Sequence, residues 1–369
     1  MSIVKFSDVA QRANTREDRF NTDKIYYVGG EHIESGELFV SNKGLIKGST
    51  IGPMFYFGFK AGQILFVTRN PHLRKCGIAY FDGICSEKTF VIETKDSGIL
   101  LQEYLALIMQ SNDFWDYCEE NKSGGVNYFL NWSTLADYEF ELPPIAEQKV
   151  LADKLWAAYR LKESYKKLLA ATQEMVKSQF IEMFGRISDD SPCLYDVARV
   201  YDGTHKTPSY TDSGIPFISV ENISNIYGSK KYISQEDYEK YKYKPEYGDV
   251  FMTRIGTIGK CAVYESTEPL AYYVSLALIK PNRELIHSKF LKYYLESSDG
   301  QFELRKRSLL KAFPMKINLG EIGKIKVMLP SKERQNEFVA MAEQADKSEF
   351  ELRKSIESID AVIKSLINS

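Results

Sequence analysis

Leu142-Pro143-Pro144-Ile145-Ala146-Glu147-Gln148 returns 187 residues later as Leu329-Pro330-Ser331-Lys332-Glu333-Arg334-Gln335, so the chain writes one helix-opening segment twice. Repeats of this size organise a fold before any local reading. A β-rich segment of about equal length precedes each copy, and a long heptad-like segment follows it. Proline belongs just before or within a first helical turn, where its missing N–H costs nothing. The two copies therefore predict helices over residues 146–183 and 333–367. In the second helix apolar positions recur at Leu352, Ile356, Ile359, Ile363 and Leu366, in alternating steps of four and three. The 187 shift places Tyr165, Leu169, Thr172, Val176 and Gln179 at the same phase. That spacing is the mark of helices packed as a coiled coil. A seam containing Thr172 and Gln179 suits a mate inside the same chain better than a homodimer zipper. At ~1.5 Å per residue, a helix of about 38 residues makes a rod roughly 57 Å long.

The expected fold class is α+β. Two β-rich domains, 1–143 and 187–330, alternate with two long helical segments, 144–186 and 331–369, packed antiparallel with pseudo-twofold symmetry. Such a frame suits a DNA target made of two separated half-sites, because half-site spacing mirrors protein geometry. A spacer between two domains of any other kind would look the same.

The bulk numbers are those of a soluble globular chain of roughly two domains: 369 residues, 44% hydrophobic and 27% charged. No run of about 18 apolar residues predicts a membrane span, and Met1-Ser2-Ile3-Val4-Lys5-Phe6 has no signal-peptide character. Five scattered cysteines without a CxxC pair indicate a reduced, cytoplasmic protein. Net charge is −2, which by itself argues weakly against nucleic acid. The distribution is less even: residues 1–143 carry 14 Lys+Arg against 19 Asp+Glu, and residues 191–330 carry 20 against 16.

Within the β-rich halves, Ile25–Val28, Gln63–Val67, Pro216–Val220 and Asp249–Met252 read as strands, with helices over 99–120 and 288–306. The halves align in order. Phe6–Ala10 matches Leu194–Ala198, and Val28–Ile33 matches Ile218–Ile223. Thr68-Arg69 and Lys75-Cys76 match Thr253-Arg254 and Lys260-Cys261, and Asn131 matches Asn318.

Catalytic motifs fail on inspection. Gly256-Thr257-Ile258-Gly259-Lys260 is not a phosphate loop: no glycine stands at 254 or 255, and Cys261 replaces the Ser/Thr. The segment reads as a turn between strands. Asn70-Pro71 lacks the second proline and aromatic of an adenine-methyltransferase site, and no Pro-Asp dipeptide starts a nuclease motif. Four histidines in unrelated contexts define no triad or metal set. The expectation is a chain that binds and does not catalyse.

The Leu-Pro-Pro-Ile-Ala-Glu-Gln-Lys segment before a long helix resembles the conserved regions of type I restriction-modification specificity (S) subunits. So do Asp202-Gly203-Thr204-His205-Lys206-Thr207-Pro208, the following Gly214–Ile223, and Thr253–Lys260. The resemblance covers the whole chain, but the first domain departs from it. There Arg12 to Phe20 replaces the Asp-Gly-His-type loop, and Asn70-Pro71-His72-Leu73 replaces the Gly-Thr-Ile-Gly turn. The resemblance implies two target-recognition domains reading an asymmetric bipartite double-stranded DNA target. It also implies docking of two methyltransferase (M) and two restriction (R) subunits, with no cofactor on this chain; S-adenosylmethionine, ATP and Mg2+ belong to the partners.

Reading half-sites requires Arg, Lys, Asn or Gln at base edges and cations or hydroxyls on phosphates. The DNA-binding candidates are His205, Lys206, Thr207, Arg254, Thr257 and Lys260 in the second domain and Arg69, His72, Arg74 and Lys75 in the first. Two basic clusters, Arg305-Lys306-Arg307 with Lys311, and Lys230-Lys231, are further phosphate candidates. Two other roles stay open: the recognition arm of another restriction architecture, and a non-catalytic adaptor that binds proteins.

Overall fold

The computed structural model describes residues 2–309 and 312–368. Lys311 lies outside the described residues. The chain divides into two compact units, one made of Met1–Leu168 with Leu352–Ser369 and the other of Leu169–Glu351.

In the first unit a four-stranded antiparallel sheet runs in the order Ala10–Arg12, Thr89–Thr94, Ile64–Val67, Cys76–Ile78. A second sheet runs Gly44–Leu45, Tyr26–Val28, Gly83–Ser86, Phe55–Phe59, with Tyr26–Val28 and Gly83–Ser86 parallel. Every residue of Ile64–Val67 is buried, because both faces of the strand are covered. Alternate side chains serve two cores. Ile64 and Phe66 pack with the helices, while Leu65 and Val67 join Val28, Phe59 and Cys85 of the second sheet.

The second unit repeats this plan. Its first sheet runs Ala198–Asp202, Leu276–Pro281, Val250–Thr253, Cys261–Val263, and its second runs Tyr232–Ile233, Ile215–Ile218, Ala271–Tyr272. Phe217 pairs with Ala271 in the parallel register. Val250 and Met252 face the helical core and Phe251 faces the other.

The single helices expected over 99–120 and 288–306 are each two. They are Gln102–Ile108 with Asn112–Glu120, and Ser288–Glu296 with Ser298–Arg307. The reason is local in both cases. Ser111 Oγ accepts the Phe114 N–H and Ser297 Oγ accepts the Gly300 N–H, so each serine caps a new helix instead of continuing the old one.

The long helices run Ile145–Phe184 and Lys332–Ile367. Within the first unit the start of one and the end of the other share a core: Leu155, Trp156 and Tyr159 with Ile363, flanked by Ile359 and Leu366. Within the second, Phe180 packs on Phe338 with ring centroids 5.1 Å apart. In either unit the two helical portions are therefore antiparallel. Tyr165, Leu169, Thr172, Val176, Leu352 and Ile356 are half-buried.

The glutamine that ends each Leu-Pro motif is fully buried, with 0% exposure at both Gln148 and Gln335. The Gln148 amide donates to Ile99 O and Pro143 O, both at 2.9 Å, and accepts the Leu101 N–H at 3.0 Å. Gln335 donates to Leu285 O (3.0 Å) and Pro330 O (2.8 Å) and accepts the His287 N–H (2.7 Å). Each amide thus ties the first turn of a long helix to the start of the short helix beside it.

Replacing either glutamine with alanine leaves two carbonyls and one N–H without their partner; a fully buried group left so costs about 1–3 kcal/mol, and the part-buried ones here cost less. Gln148→Ala and Gln335→Ala should each lower the unfolding midpoint, and Glu at either position should do no better, since it lacks the donors. Denaturant unfolding of the variants measures this. His287 adds a pH term. Its Nδ1 accepts the Lys289 N–H at 3.2 Å, and burial first, then Lys332, holds its pKa below the ordinary histidine value. The unfolded chain then binds the proton first as pH falls through about 6.5. Stability contributed by His287 is complete above that pH and lost below it. His287→Asn, which can keep the acceptor, should flatten the acid limb of Tm against pH.

Candidate nucleic-acid interface

In the second unit the candidate loop begins where Ala198–Asp202 ends. Gly203 lies so close to the backbone of Tyr272 and Tyr273 that a Cβ would collide with it, which lets Thr204 bridge to Tyr273. The chain beyond projects His205, Lys206 and Thr207 into solvent. Arg254 does not share that exposure. At 8% exposure its guanidinium is hydrogen-bonded to Asp202, and it also donates to Val274 O and Ile317 O, each at 3.3 Å. The other oxygen of Asp202 is 3.1 Å from His205 Nε2. Arg254 therefore orients His205 through Asp202 and joins three chain segments, its own donors directed inward.

Arg254 also enters the turn that carries Thr257 and Lys260. Gly256 (φ 80°) and Gly259 (φ 83°) supply the left-handed corners, where side chains with a Cβ are strained. Thr257 and Lys260 line a cleft of about 670 Å3 with Ser224, Asn225 and Lys292. Lys206 and Lys260 are exposed and have no carboxylate partner among the described residues. Lys231 is held by Glu221 at 2.5 Å, and the hydrogen bond to that carboxylate raises its pKa.

The corresponding turn of the first unit corrects the sequence alignment. Thr68 N–H donates to Lys88 O and Arg254 N–H to Ser275 O; Leu130 N–H donates to Thr68 O and Ile317 N–H to Arg254 O. Thr68 is thus the counterpart of Arg254, and Arg69 that of Ile255. The slip arises because the turn of the first unit, closed by Val67 N–H on Lys75 O, is one residue longer than that closed by Thr253 N–H on Lys260 O. Lys75-Cys76 and Lys260-Cys261 do correspond, each cysteine pairing across its hairpin. Both turns use two left-handed corners: Asn70 (φ 52°) and Arg74 (φ 46°) stand where the second unit has glycines.

Of the four candidates here, His72 is exposed, and Arg69 lies over the Phe129 ring at 5.6 Å. Arg74 is engaged with Asn112 Oδ1 at 2.9 Å and Asp116 at 3.7 Å, and Lys75 donates to Gly30 O at 2.5 Å. A more open cationic surface lies on the Arg12–Phe20 loop. Arg19 stacks on Phe20 at 4.1 Å and Arg16 on Tyr56 at 5.2 Å. Arg19 and Phe20 line a cleft of about 710 Å3 with Lys24, Ile25, Leu45 and Lys47. Three arginines within nine residues, ending on an aromatic, were the available signal for it.

No group of three or more His, Cys, Asp or Glu among the described residues is placed to hold a metal ion. Four of the five cysteines are buried, and desolvation raises their thiol pKa values, that of Cys85 to about 12. No helix among the described residues is long and apolar enough to cross a membrane.

Comparison with known proteins agrees with the duplicated frame. Two curated proteins are similar: the type I restriction enzyme EcoDI specificity subunit of Escherichia coli, 27% identical over 40% of this chain, and the putative MjaX specificity subunit of Methanocaldococcus jannaschii, 26% identical over 42%. The matched stretches span 32% and 38%, about a third, of those relatives' lengths. Among solved structures, the S subunit of a type I restriction-modification system from M. genitalium is similar in fold, with TM-score 0.63 and 12% identity over 99% of this chain and 94% of that one. A chain from a study of complex assembly and conformational transition of the type I R-M system is similar at TM-score 0.58 and 17% identity, over 99% and 96%. The type I restriction modification DNA specificity domain matches twice, at residues 4–171 and 193–359, once for each copy of the repeat. With both copies matched, the chain belongs to the type I restriction-modification specificity family.

Proposed function

We propose that the chain reads double-stranded DNA as the specificity subunit of a type I restriction-modification complex, each unit recognising one half of an asymmetric, interrupted target. The observation that carries this reading is one frame bearing two different loop sets. Sheets, capped helices and buried glutamine recur, whereas the reading surfaces diverge. In the second unit the surface is polar, with His205, Lys206, Thr207, Thr257 and Lys260. In the first it is arginine stacked on aromatics beside Ile25 and Leu45, chemistry suited to thymine methyl groups as well as phosphates. The repeated helices support equivalent docking of two M subunits in this reading, and R subunits join that complex. S-adenosylmethionine, ATP and Mg2+ act on those partners, and this chain supplies recognition without catalysis in the cytoplasm.

Coexpression with the cognate M subunit, followed by genome-wide mapping of N6-methyladenine, tests the reading directly. An interrupted motif with unlike halves is expected; a continuous motif, or none, overturns it. Exchange of residues 191–328 for another second domain should change one half-site and leave the other intact. Lys206→Ala should weaken binding of the M-containing complex to all duplexes alike. It should also reduce the slope of log affinity against log salt by about one, as for a phosphate contact. A change of sequence preference without a change of slope would instead make Lys206 a base reader.

A further inference from the structure

Val126 and Phe313 are the most exposed large apolar side chains among the described residues, at 94% and 105%. Counted back from Phe129 and Lys316, the 187 shift that relates the Leu-Pro motifs maps one onto the other, although the second loop is one residue longer than the first. Val126 sits at the tip of a small hairpin closed by Ser123 with Phe129, and Phe313 lies three residues before Lys316, which bridges to Leu309. The strand side of each loop is seated against the turn that carries interface candidates. Asn70 N–H donates to Tyr128 O at 2.9 Å and Gly256 N–H to Met315 O at 2.8 Å, while Arg69 bridges to Phe129 and Ile255 to Lys316.

A single exposed apolar residue is ordinary. Two in corresponding loops of a duplicated frame, both beside the candidate reading turns, are not explained by packing, since neither is covered by its own unit. Protein-docking surfaces present contiguous apolar area. The first tip instead offers one apolar side chain between Gly124-Gly125 and Asn127. Near the second, Arg305 and Lys316 are exposed without a carboxylate partner among the described residues, as a phosphate backbone would require. Apolar side chains that enter DNA act as wedges, partly unstacking a base step and bending the duplex.

We propose that Val126 and Phe313 are a matched pair of wedges, each inserting at a base step within the half-site held by its own unit. The proposal rests on the DNA reading above and adds a deformation that side-chain hydrogen bonding does not supply. The larger Phe313 opens its step more than Val126, so the two half-sites are deformed unequally.

The test uses the full chain in complex with its M subunit and the duplex found by methylation mapping, with 2-aminopurine placed singly along each half-site. Wild type should show a fluorescence rise at one step in each half, larger in the half read by the second unit. Phe313→Ala should reduce that rise about two-fold or more, with the other half unchanged, and Phe313→Leu should restore part of it. Val126→Ala should act only on the other half, and Val126→Phe should increase its signal. Unchanged fluorescence in both alanine variants, with specific binding intact, overturns the wedges and leaves the DNA reading standing. Loss of M-subunit association in Phe313→Ala overturns them in favour of a protein contact. Absence of sequence-specific binding by wild type defeats the DNA reading itself, and the wedges with it.

Discussion

A buried side-chain amide with no exposure must satisfy its donors and acceptor inside the protein, and Gln148 and Gln335 do so on backbone groups alone. That constraint links elements distant in sequence. The long helix, the proline just before it and the short helix of the adjoining domain are drawn to one point. Because the amide engages carbonyls on two sides and one N–H, it sets the direction in which each long helix leaves its domain. Hydrophobic burial around it, from Leu155, Trp156 and Tyr159 in one unit and Phe338 and Ala342 in the other, supplies most of the stabilisation but is non-directional. The glutamine supplies the geometry.

Charged groups then differentiate the two units. In the first, nearly buried Lys162 lies between Glu37 at 2.9 Å and Asp360 at 2.8 Å, joining a loop of the β-rich domain to both long helices. In the second, Lys289 bridges Glu265 at 2.7 Å and Glu343 at 2.6 Å, and Tyr293 donates to Asp346. Removing a carboxylate partner of Lys162 costs more than the cluster contributes, because that nearly buried charge is left desolvated, whereas the Lys289 cluster is half-exposed and screened by solvent. These contacts therefore restrict how each domain can sit on its own helical portions, and they do so with different residues in the two copies.

Much of the frame was legible because it rests on local signals. The Leu-Pro motif, the heptad steps and the aromatic and β-branched runs of the strands all have short-range causes, and both long helices lie within a residue of their expected bounds. Loop correspondence was not legible to the same degree. Thr68-Arg69 resembles Thr253-Arg254 by eye, yet one added residue in the turn moves Arg69 to the position of Ile255 and leaves Thr68 opposite Arg254. A one-residue shift along a strand reverses the face a side chain takes. The serine caps at 111 and 297 escaped for a different reason: only the hydrogen bond from a backbone N–H to each serine hydroxyl shows that the helix has restarted.

The sequence by itself determined the duplication, the positions of the two long helices and the strands, since these follow from periodicity, proline placement and β-branched runs. The tertiary structure decided which polar groups remain available. Arg254 and Lys75 look like surface cations in the sequence, but folding brings Asp202 to the first and Gly30 O to the second. Arg19, Phe20, Val126 and Phe313 drew no such expectation, yet folding leaves them open. The physical reason is that exposure and pairing are properties of neighbours distant in sequence, and no local pattern encodes which neighbour will arrive.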